Sequence, residues 1–251
     1  MNNLFLKFFN NKRYLQNKLN NKKNKEIKVY LEKIKPRLEE ISEIILSKEE
    51  ISFLHSGHLG DVINSLPLIK ELSKKKKCKL NIQLNKILPN NENGMYGKYF
   101  LTKDPVNKLL PLLNKQSYLN EVSIYDKQKI DIDLDFFREL PLNFNIDSVR
   151  WYFHLTGIHF DLSDNYITVE PHKEIRNKVI IMRSPRRHNH LINYKFINQY
   201  KNLLFLGLEN EFYELKKEIP KLEFYNCKDF LEMAQIIKSC KLFIGNLSFG
   251  Y

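Results

Sequence analysis

The sequence is poor in cysteine, glycine and tryptophan, with 3, 8 and 1 of them in 251 residues. The cysteines Cys78, Cys227 and Cys240 lie far apart and form no Cys-x-x-Cys pair, which argues against a zinc site or a disulfide framework and indicates a reducing compartment. Long apolar runs are also missing, since no stretch approaches the ~20 apolar residues that a membrane-spanning helix needs. We therefore expect a cytoplasmic, globular protein with an ordinary core.

Acidic residues are scarce relative to basic ones. The chain has 41 Lys and Arg against 29 Asp and Glu, a formal net charge of +12. Most of the excess lies in residues 1–30, within an N-terminal extension that we assign to residues 1–50. A solvated leader is one interpretation, and weak peripheral contact with an anionic membrane, on its inner face, is the other. Nucleic acid is not an expected partner, because no recognition motif accompanies the charge.

Apolar spacing divides the rest of the chain into alternating elements. Residues 27–46 have helical spacing interrupted by Pro36, which predicts a kink or two short helices with Pro36 in the first turn of the second. Strands are predicted at 51–55, 79–84, 121–125, 130–135, 166–170, 178–183, 202–207, 222–225 and 241–245. Helices are predicted after 61 and near 105–115, 147–156, 192–200, 209–218 and 229–239. This alternation is typical of parallel sheets with crossover helices.

A polar, proline-containing break at 171–177 is the predicted linker between two such sheets. It separates a predicted N-terminal domain at 51–170 from a C-terminal domain at 178–251. The chain ends at Tyr251, directly after a strand and a loop, so we expect the second domain to be incomplete.

The stretch SGHLGD, residues 56–61, places two of the rare glycines between a strand and a helix. In open α/β sheets, ligands bind where a strand's carboxyl end leads into a helix, and the amino end of that helix favours negative charge. Gly57, His58 and Gly60 are therefore candidate ligand contacts. Asp61 has two open interpretations, a helix cap or an acid that takes part in chemistry.

Basic side chains follow the first strand of the second half, in MRSPRRHNH at 182–190. Guanidinium groups suit phosphate oxygens, so we interpret this loop as a phosphate site, with a solvated basic loop as the alternative. The candidates are Arg183, Arg186, Arg187 and His188.

Two further loops of the second half follow strands. GNLSFG at 245–250 contributes Gly245, Asn246 and Ser248 as candidate nucleotide contacts, and an ordinary strand-to-helix turn is the alternative. Gly207 and Glu209 are also candidates for donor contacts, although an acid in a helix's first turn is commonly a dipole partner.

Metal binding and paired-carboxylate chemistry are not predicted. His55 and His58 lack a third ligand nearby, so no metal site is expected. Asp131, Asp133 and Asp135 alternate along a predicted strand, and we interpret them as a solvated sheet edge.

Two segments carry a resemblance to a known family. SGHLGDVINSLPLIKEL, residues 56–72, resembles the first loop and helix of the heptosyltransferase-like glycosyltransferases of family nine, with Gly60, Asp61 and Pro67 at the matching positions. MAQIIKSCKLFIGNLSFG, residues 233–250, resembles a segment of that family's second domain. The second match departs from the family pattern at Leu247, where an acid is usual, and at Phe249, where a glycine is usual.

The resemblance implies a GT-B-like fold, in which two Rossmann-like domains face a cleft. It implies an inverting, metal-independent glycosyltransferase that moves a sugar from a nucleotide-sugar donor to a glycan or lipopolysaccharide-type acceptor. Asp61 would be the general base, Arg183, Arg186 and Arg187 would hold the donor diphosphate, and no cofactor beyond the nucleotide sugar is expected. The alternatives are a fucosyltransferase-like GT-B enzyme and a non-catalytic relative that binds nucleotide sugars or glycans.

Overall fold

The structure is a computed structural model that describes residues 11–89, 94–144, 147–161, 163–185 and 188–246. Its α-helices are α1 (Asn11–Val29), α2 (Lys35–Ser47), α3 (Leu59–Ser73), α4 (Lys103–Asn114), α5 (Val149–Thr156), α6 (Glu209–Glu218) and α7 (Phe230–Lys238). Its strands are β1 (Glu50–His55), β2 (Lys77–Ile82), β3 (Glu121–Ile124), β4 (Ile132–Asp133), β5 (Val179–Met182), β6 (Leu203–Phe205), β7 (Glu223–Phe224) and β8 (Leu242–Gly245). One 3-10 segment, Leu134–Glu139, follows β4, and a second, Tyr194–Gln199, precedes β6.

The N-terminal helices form one helical run with a change of hydrogen-bond pattern in the middle. A π-helical turn, Tyr30–Ile34, joins α1 to α2, and Pro36 lies in the first turn of α2, as predicted. Pro36 has no N–H to donate within this run, and the hydrogen-bond pattern changes to a π-helical turn directly before it. Ile41 and Ile45 of α2 are buried in the core, whereas α1 buries no residue.

The first sheet has the strand order β3-β2-β1-β4, with all pairs parallel. Ile51, Phe53 and His55 of β1 are fully buried. The predicted strand at 130–135 is reduced to the two residues of β4, because the Asp133 side chain accepts a hydrogen bond from the N–H of Asp135 at 3.0 Å and turns the chain into the 3-10 segment.

The predicted strand at 166–170 is wrong, since that segment pairs with no strand among the described residues. Its backbone groups bond to side chains instead. The amide of Gln116 accepts from the N–H of Thr168 at 2.8 Å and donates to the Thr168 carbonyl at 3.3 Å. The Tyr118 hydroxyl donates to the Tyr166 carbonyl at 2.6 Å. These bonds replace a strand ladder and leave Ile167 packed against the first core.

The second sheet repeats the order of the first, as β7-β6-β5-β8, again with parallel pairs. Every residue of β5 is buried, and its alternate residues belong to two separate cores, one on each face. A continuous apolar strand of this kind is typical of a parallel sheet that is covered on both faces. The predicted helix near 192–200 is a 3-10 segment. At its start, the Asn193 side chain accepts a hydrogen bond from the N–H of Lys195.

Helix α7 connects the two halves. Ile236 of α7 is buried under the second sheet, while Phe230, Leu231 and Ala234 pack against the core of the first. The predicted linker at 171–177 contacts the end of the same helix, where the N–H of His172 donates to the Ser239 hydroxyl at 2.6 Å. The boundaries of the two domains stay a prediction. Within the described ranges, no helix has both the length and the apolar character needed to cross a bilayer.

Candidate functional site

Each sheet has one point at which neighbouring strands send their chains to opposite sides. In the order β3-β2-β1-β4 this switch point lies between β1 and β4, and in β7-β6-β5-β8 it lies between β5 and β8. The loops that leave such strands diverge and open a crevice, where ligands of open α/β sheets bind. The predicted site residues Gly57 and His58 lie in the loop after β1, and Gly60 and Asp61 lie in the first turn of α3.

Asp61 lies at the amino end of α3. His58 has extended backbone angles and precedes the first helical residue, and its N–H donates to Asp61 Oδ2 at 3.2 Å. The carboxylate therefore caps the helix, and its charge complements the helix dipole. The hydrogen bond from His58 thus supports the interpretation of Asp61 as a helix cap.

Arg138 reaches the same carboxylate from the other side of the crevice. It belongs to the 3-10 segment after β4, and its Nη2 donates to Asp61 Oδ2 at 2.5 Å. The guanidinium lies 4.9 Å from the ring centre of Phe100 and 4.6 Å from that of Phe137. The ion pair and the two ring contacts hold the guanidinium in place. Asp61 and Arg138 keep side-chain exposures of 17% and 33%, so the pair stays open to solvent.

The two oxygens of Asp61 have different environments. Oδ2 takes both bonds, from His58 and from Arg138, whereas Oδ1 accepts none from any residue that the structure describes. A carboxylate with one oxygen fixed and the other available is suited to accepting a proton from a hydroxyl group placed in the crevice.

The two glycines of this loop differ in what surrounds them. A Cβ on Gly57 would lie 2.8 Å from Arg138 Nη2, 2.9 Å from Asp61 Oδ2 and 2.9 Å from His55 Cε1. Glycine at position 57 is therefore what allows Asp61 and Arg138 to meet. A Cβ on Gly60 would meet no heavy atom within 4 Å among the described residues outside its own helical backbone. The side of the helix at Gly60 is thus open.

A buried series of hydrogen bonds joins the loop after β1 to His55 and Tyr152. The N–H of Gly57 donates to His55 Nδ1 at 3.0 Å, which assigns that nitrogen as an acceptor. His55 Nε2 then carries the hydrogen and lies 2.8 Å from the Tyr152 hydroxyl, which donates to the main-chain carbonyl of Asp61 at 2.8 Å. Burial raises the pKa of the Tyr152 phenol well above its usual value, so the phenol stays protonated and can keep donating to that carbonyl.

Asp135 was expected at a solvated sheet edge, and this expectation is wrong. The residue is 4% exposed, and its Oδ2 accepts from the N–H of Ser56 at 2.6 Å and from the Ser56 hydroxyl. Burial alone would raise the pKa of the Asp135 carboxyl, yet the surrounding positive charge and the Ser56 hydrogen bond outweigh burial and lower the pKa below its usual value. The strand ends at Asp133, so the alternating pattern does not extend to Asp135.

Three members of this site, Arg138, Asp135 and Tyr152, were not predicted from the sequence. The sequence contains one feature that could have identified Arg138. Arginine is rare in this lysine-rich chain, and Arg138 lies shortly after a predicted strand. His58 was predicted, and its ring packs edge-on against Phe100 with the ring centres 4.9 Å apart.

Reciprocal hydrogen bonds join the two loops at the second switch point. The N–H of Ser184, after β5, donates to Asn246 Oδ1 at 3.1 Å, and Asn246 Nδ2 donates to the Ser184 carbonyl at 2.9 Å. Asn246 therefore joins the loops after β5 and β8, next to Gly245 at the end of β8. Ser248, Arg186 and Arg187 lie outside the described residues, so their roles stay predictions.

Arg183 has partners other than a phosphate. Its guanidinium is 5% exposed and bonds to Glu211 at 2.5 Å and Glu214 at 2.8 Å, both on α6, and it lies 5.4 Å from the ring centre of Tyr194. Its Nη1 is 3.4 Å from Nε2 of the predicted site residue His188. Two carboxylates already balance the arginine charge, and the role predicted for Arg183 in donor binding stays untested.

We expect Arg183→Met to destabilise the fold by about 3–5 kcal/mol, because Glu211, 3% exposed, would be left as a buried charge without its partner. Urea unfolding measures this free energy. The double variant Arg183→Met with Glu211→Leu should recover most of the loss, since it removes both buried charges. Equal stability of Arg183→Met and the parent chain would contradict this role.

Gly207 and Glu209 lie between β6 and α6. Gly207 has φ of +141°, a backbone conformation that favours glycine, so its presence has a structural cause. Glu209 is exposed in the first turn of α6 and accepts from the Tyr213 hydroxyl at 3.0 Å. In the part of the chain that the structure describes, no three His, Cys, Asp or Glu side chains converge as a metal site requires.

Comparisons with known proteins give one structural likeness to report. No protein-family model matches the chain, and a search of curated proteins finds no match. Among solved structures, the chain is similar to the iron-containing dodecameric glycosyltransferase TibC from enterotoxigenic E. coli H10407, with a TM-score of 0.45 and 11% sequence identity. The alignment covers 80% of this chain and 56% of the TibC chain, so this chain spans just over half of that protein's length. The activity, substrates and partners of this chain are therefore proposals.

Proposed function

We propose that the protein is an inverting glycosyltransferase of the GT-B type, with its acceptor site in the crevice between β1 and β4. The observation that carries the proposal is the Asp61 carboxylate, which lies at this crevice with Oδ2 bonded to His58 and Arg138, while Oδ1 accepts no hydrogen bond from the residues that the structure describes. The resemblance of residues 56–72 and 233–250 to the heptosyltransferase-like family supports the reaction class. The matching strand orders of the two sheets support the GT-B arrangement.

In the proposed reaction, an acceptor hydroxyl attacks the anomeric carbon of a nucleotide sugar. The new bond joins the hydroxyl oxygen to this carbon, and the bond from the carbon to the diphosphate oxygen breaks. The nucleotide diphosphate leaves with the electron pair, and Asp61 Oδ1 takes the hydroxyl proton. Attack opposite to the leaving group inverts the configuration at the anomeric carbon. The acceptor would be a glycan or a lipopolysaccharide-type glycolipid.

The donor site is proposed at the second switch point, where Asn246 joins the loops after β5 and β8. Main-chain groups near Ser184 and Gly245 would contact the nucleotide, since the Asn246 side chain is engaged in closing the loop. Arg186 and Arg187 would neutralise the diphosphate in place of a metal ion, because guanidinium groups form paired bonds to phosphate oxygens. Arg183 would support them by fixing the loop rather than by binding phosphate.

The proposal is tested with a panel of nucleotide sugars that differ in base and in sugar. Binding is measured by calorimetry, and transfer is measured as nucleotide diphosphate released in the presence of glycan and glycolipid acceptors. Release that depends on both a donor and an acceptor supports the proposal. Saturable donor binding with no nucleotide diphosphate released for any combination of donor and acceptor would instead support a non-catalytic binding protein. In such a protein, the only role of Asp61 would be to cap α3 and to pair with Arg138.

The basic helix α1 is proposed to hold the protein weakly at an anionic membrane surface. It exposes seven basic side chains against the single acid Glu26, and it buries no residue. Each lysine or arginine near such a surface contributes about 1 kcal/mol, and salt screens the attraction. Leu15 and Leu19, one helical turn apart, are 50% and 61% exposed and add a small apolar contact.

We expect the protein to sediment with vesicles containing anionic lipid at low salt and to be released at high salt. Replacing Lys18, Lys22 and Lys25 with glutamate should abolish sedimentation, whereas the same change at Lys74, Lys75 and Lys77, outside α1, should reduce it much less. Equal losses in the two variants, or equal sedimentation with neutral vesicles, would contradict a role for α1.

A further inference from the structure

Asp135 connects the two loops that form the first crevice. It follows β4, while its Oδ2 accepts the N–H and the hydroxyl of Ser56, the first residue of the loop after β1. Lys86 Nζ lies 3.6 Å from the same oxygen. The residue is 4% exposed, so a substrate in the crevice has no access to its carboxylate. Asp135 can therefore act on the site only through its neighbours.

The other oxygen, Asp135 Oδ1, is buried and has no hydrogen-bond partner among the described residues. Two nitrogen atoms lie near it at the same distance, His55 Nδ1 at 3.6 Å and Arg138 Nε at 3.6 Å. His55 Nδ1 already accepts the N–H of Gly57 and has no hydrogen to donate. Arg138 Nε always carries a hydrogen, because a guanidinium does not lose its proton in proteins. Arg138 is thus the group of the two that can satisfy this oxygen.

Asp135 and Asp61 lie at different N–H groups of the Arg138 guanidinium. Arg138 has its Nε side toward Asp135 Oδ1 and its Nη2 on Asp61 Oδ2. The planar fork transmits this orientation, because fixing one N–H direction fixes the others. Held only by its bond to Asp61 Oδ2 and by Phe100 and Phe137, the guanidinium would keep its place but could still turn within its plane about that bond.

We infer that Asp135 is a positioning residue, which orients Arg138 and through it holds Asp61 Oδ2 so that Oδ1 faces the crevice. The inference rests on the proposed function for the role of Asp61, but the contact between Asp135 and Arg138 is testable without it. Asp135→Asn removes the negative charge and replaces one carboxylate oxygen with an NH2 group. This NH2 group would face either Ser56 or Arg138, each of which donates a hydrogen and needs an acceptor there.

Asp131 provides a matched control. It precedes β4, accepts the N–H of Ser52 at 2.9 Å and pairs with Lys48, as Asp135 accepts the N–H of Ser56 and lies near Lys86. Both acids thus join the β4 chain to the β1 chain, but only Asp135 lies beside Arg138. Asp131→Asn therefore reproduces the loss of a partly buried carboxylate that bonds to β1, at a position that has no contact with Arg138 among the described residues.

The first readout is the NMR signal of the Arg138 Nε–H, assigned through Arg138→Lys. Asp135→Asn should shift this signal and speed its exchange with water at least tenfold, while Asp131→Asn should change neither. An unchanged signal in a folded Asp135→Asn protein would overturn the inference. This readout needs no substrate, so it separates failure of the inference from failure of the proposed function.

The second readout uses transfer, once a donor has been found. Asp135→Asn should lower kcat at least tenfold with little change in KM for the donor, and Asp131→Asn should leave both near the parent values. A fall in both variants alike would show a general loss of structure and overturn the positioning role.

A third measurement covers the case in which Asp135→Asn does not fold. In Arg138→Met the titration midpoint of the Asp135 carboxyl, followed by its ¹³C shift, should rise, because a cation that lowers the pKa of Asp135 is gone. An unchanged midpoint would show that Asp135 and Arg138 do not interact, and would overturn the inference.

Discussion

Asp61→Asn is expected to abolish transfer while leaving the fold and donor binding intact. Asparagine has the size of aspartate and can still accept the N–H of His58, so the first turn of α3 should persist. It cannot accept a proton from an attacking hydroxyl, and loss of a general base costs roughly 10²–10⁴ in rate. The measurement compares kcat, the donor Kd and the midpoint of thermal unfolding with those of the parent chain.

The control for this prediction is Asp104→Asn. Asp104 is an exposed acid in the first turn of α4, as Asp61 is in the first turn of α3, but α4 follows β2, which does not border a switch point. Both variants lose a dipole partner, worth about 0.3–1 kcal/mol, and only Asp61→Asn should lose activity. Turnover retained in Asp61→Asn would remove Asp61 from the chemistry and leave it as a helix cap.

Gly57→Ala is expected to separate the Asp61 and Arg138 side chains. The added methyl group would lie within 2.9 Å of both side chains and of the His55 ring, and at least one of them must move. Overpacking of this kind costs about 1–3 kcal/mol. Because the movement breaks the ion pair that orients Asp61, transfer should fall by more than the loss of stability explains. Unfolding in urea and kcat measured well below the unfolding transition separate the two effects.

Gly60→Ala should have the opposite effect on stability. Its methyl group meets no described heavy atom within 4 Å, and alanine is more favourable than glycine in a helix by about 0.5–1 kcal/mol. The variant should therefore unfold at a higher urea concentration. Destabilisation by Gly60→Ala, or unaltered stability of Gly57→Ala, would contradict the geometry described for this loop.

Local sequence patterns predicted the parts of the site that local contacts build. The glycine-containing turn, the cap at Asp61 and the strand before it are adjacent in sequence, and the spacing of apolar residues was enough to place them. The alternation of strands and helices likewise predicted parallel sheets. The strand at 166–170 was predicted from the same alternation, but the side chains of Gln116 and Tyr118, about 50 residues away, bond to its backbone groups.

Contacts between distant segments could not be predicted in this way. Arg138 meets Asp61 across 77 residues, and no pattern of spacing records that β4 lies beside β1. Arg183 shows the same limit, because its position after a strand suggested a phosphate ligand, while the carboxylates that pair with it come from α6. The charge of a side chain can be seen in the sequence, but the partner that balances it depends on the fold.

The central claim is that the two switch points form the substrate sites, and amide chemical shifts of the ¹⁵N-labelled protein test it most directly. On titration with a nucleotide sugar, we predict that the largest shifts occur at Ser184, Gly245 and Asn246. On addition of a glycan acceptor, we predict shifts at Gly57, His58 and Gly60. Shifts confined to the opposite end of the first sheet, for example at the groove around Lys75 and Lys77, would contradict the account.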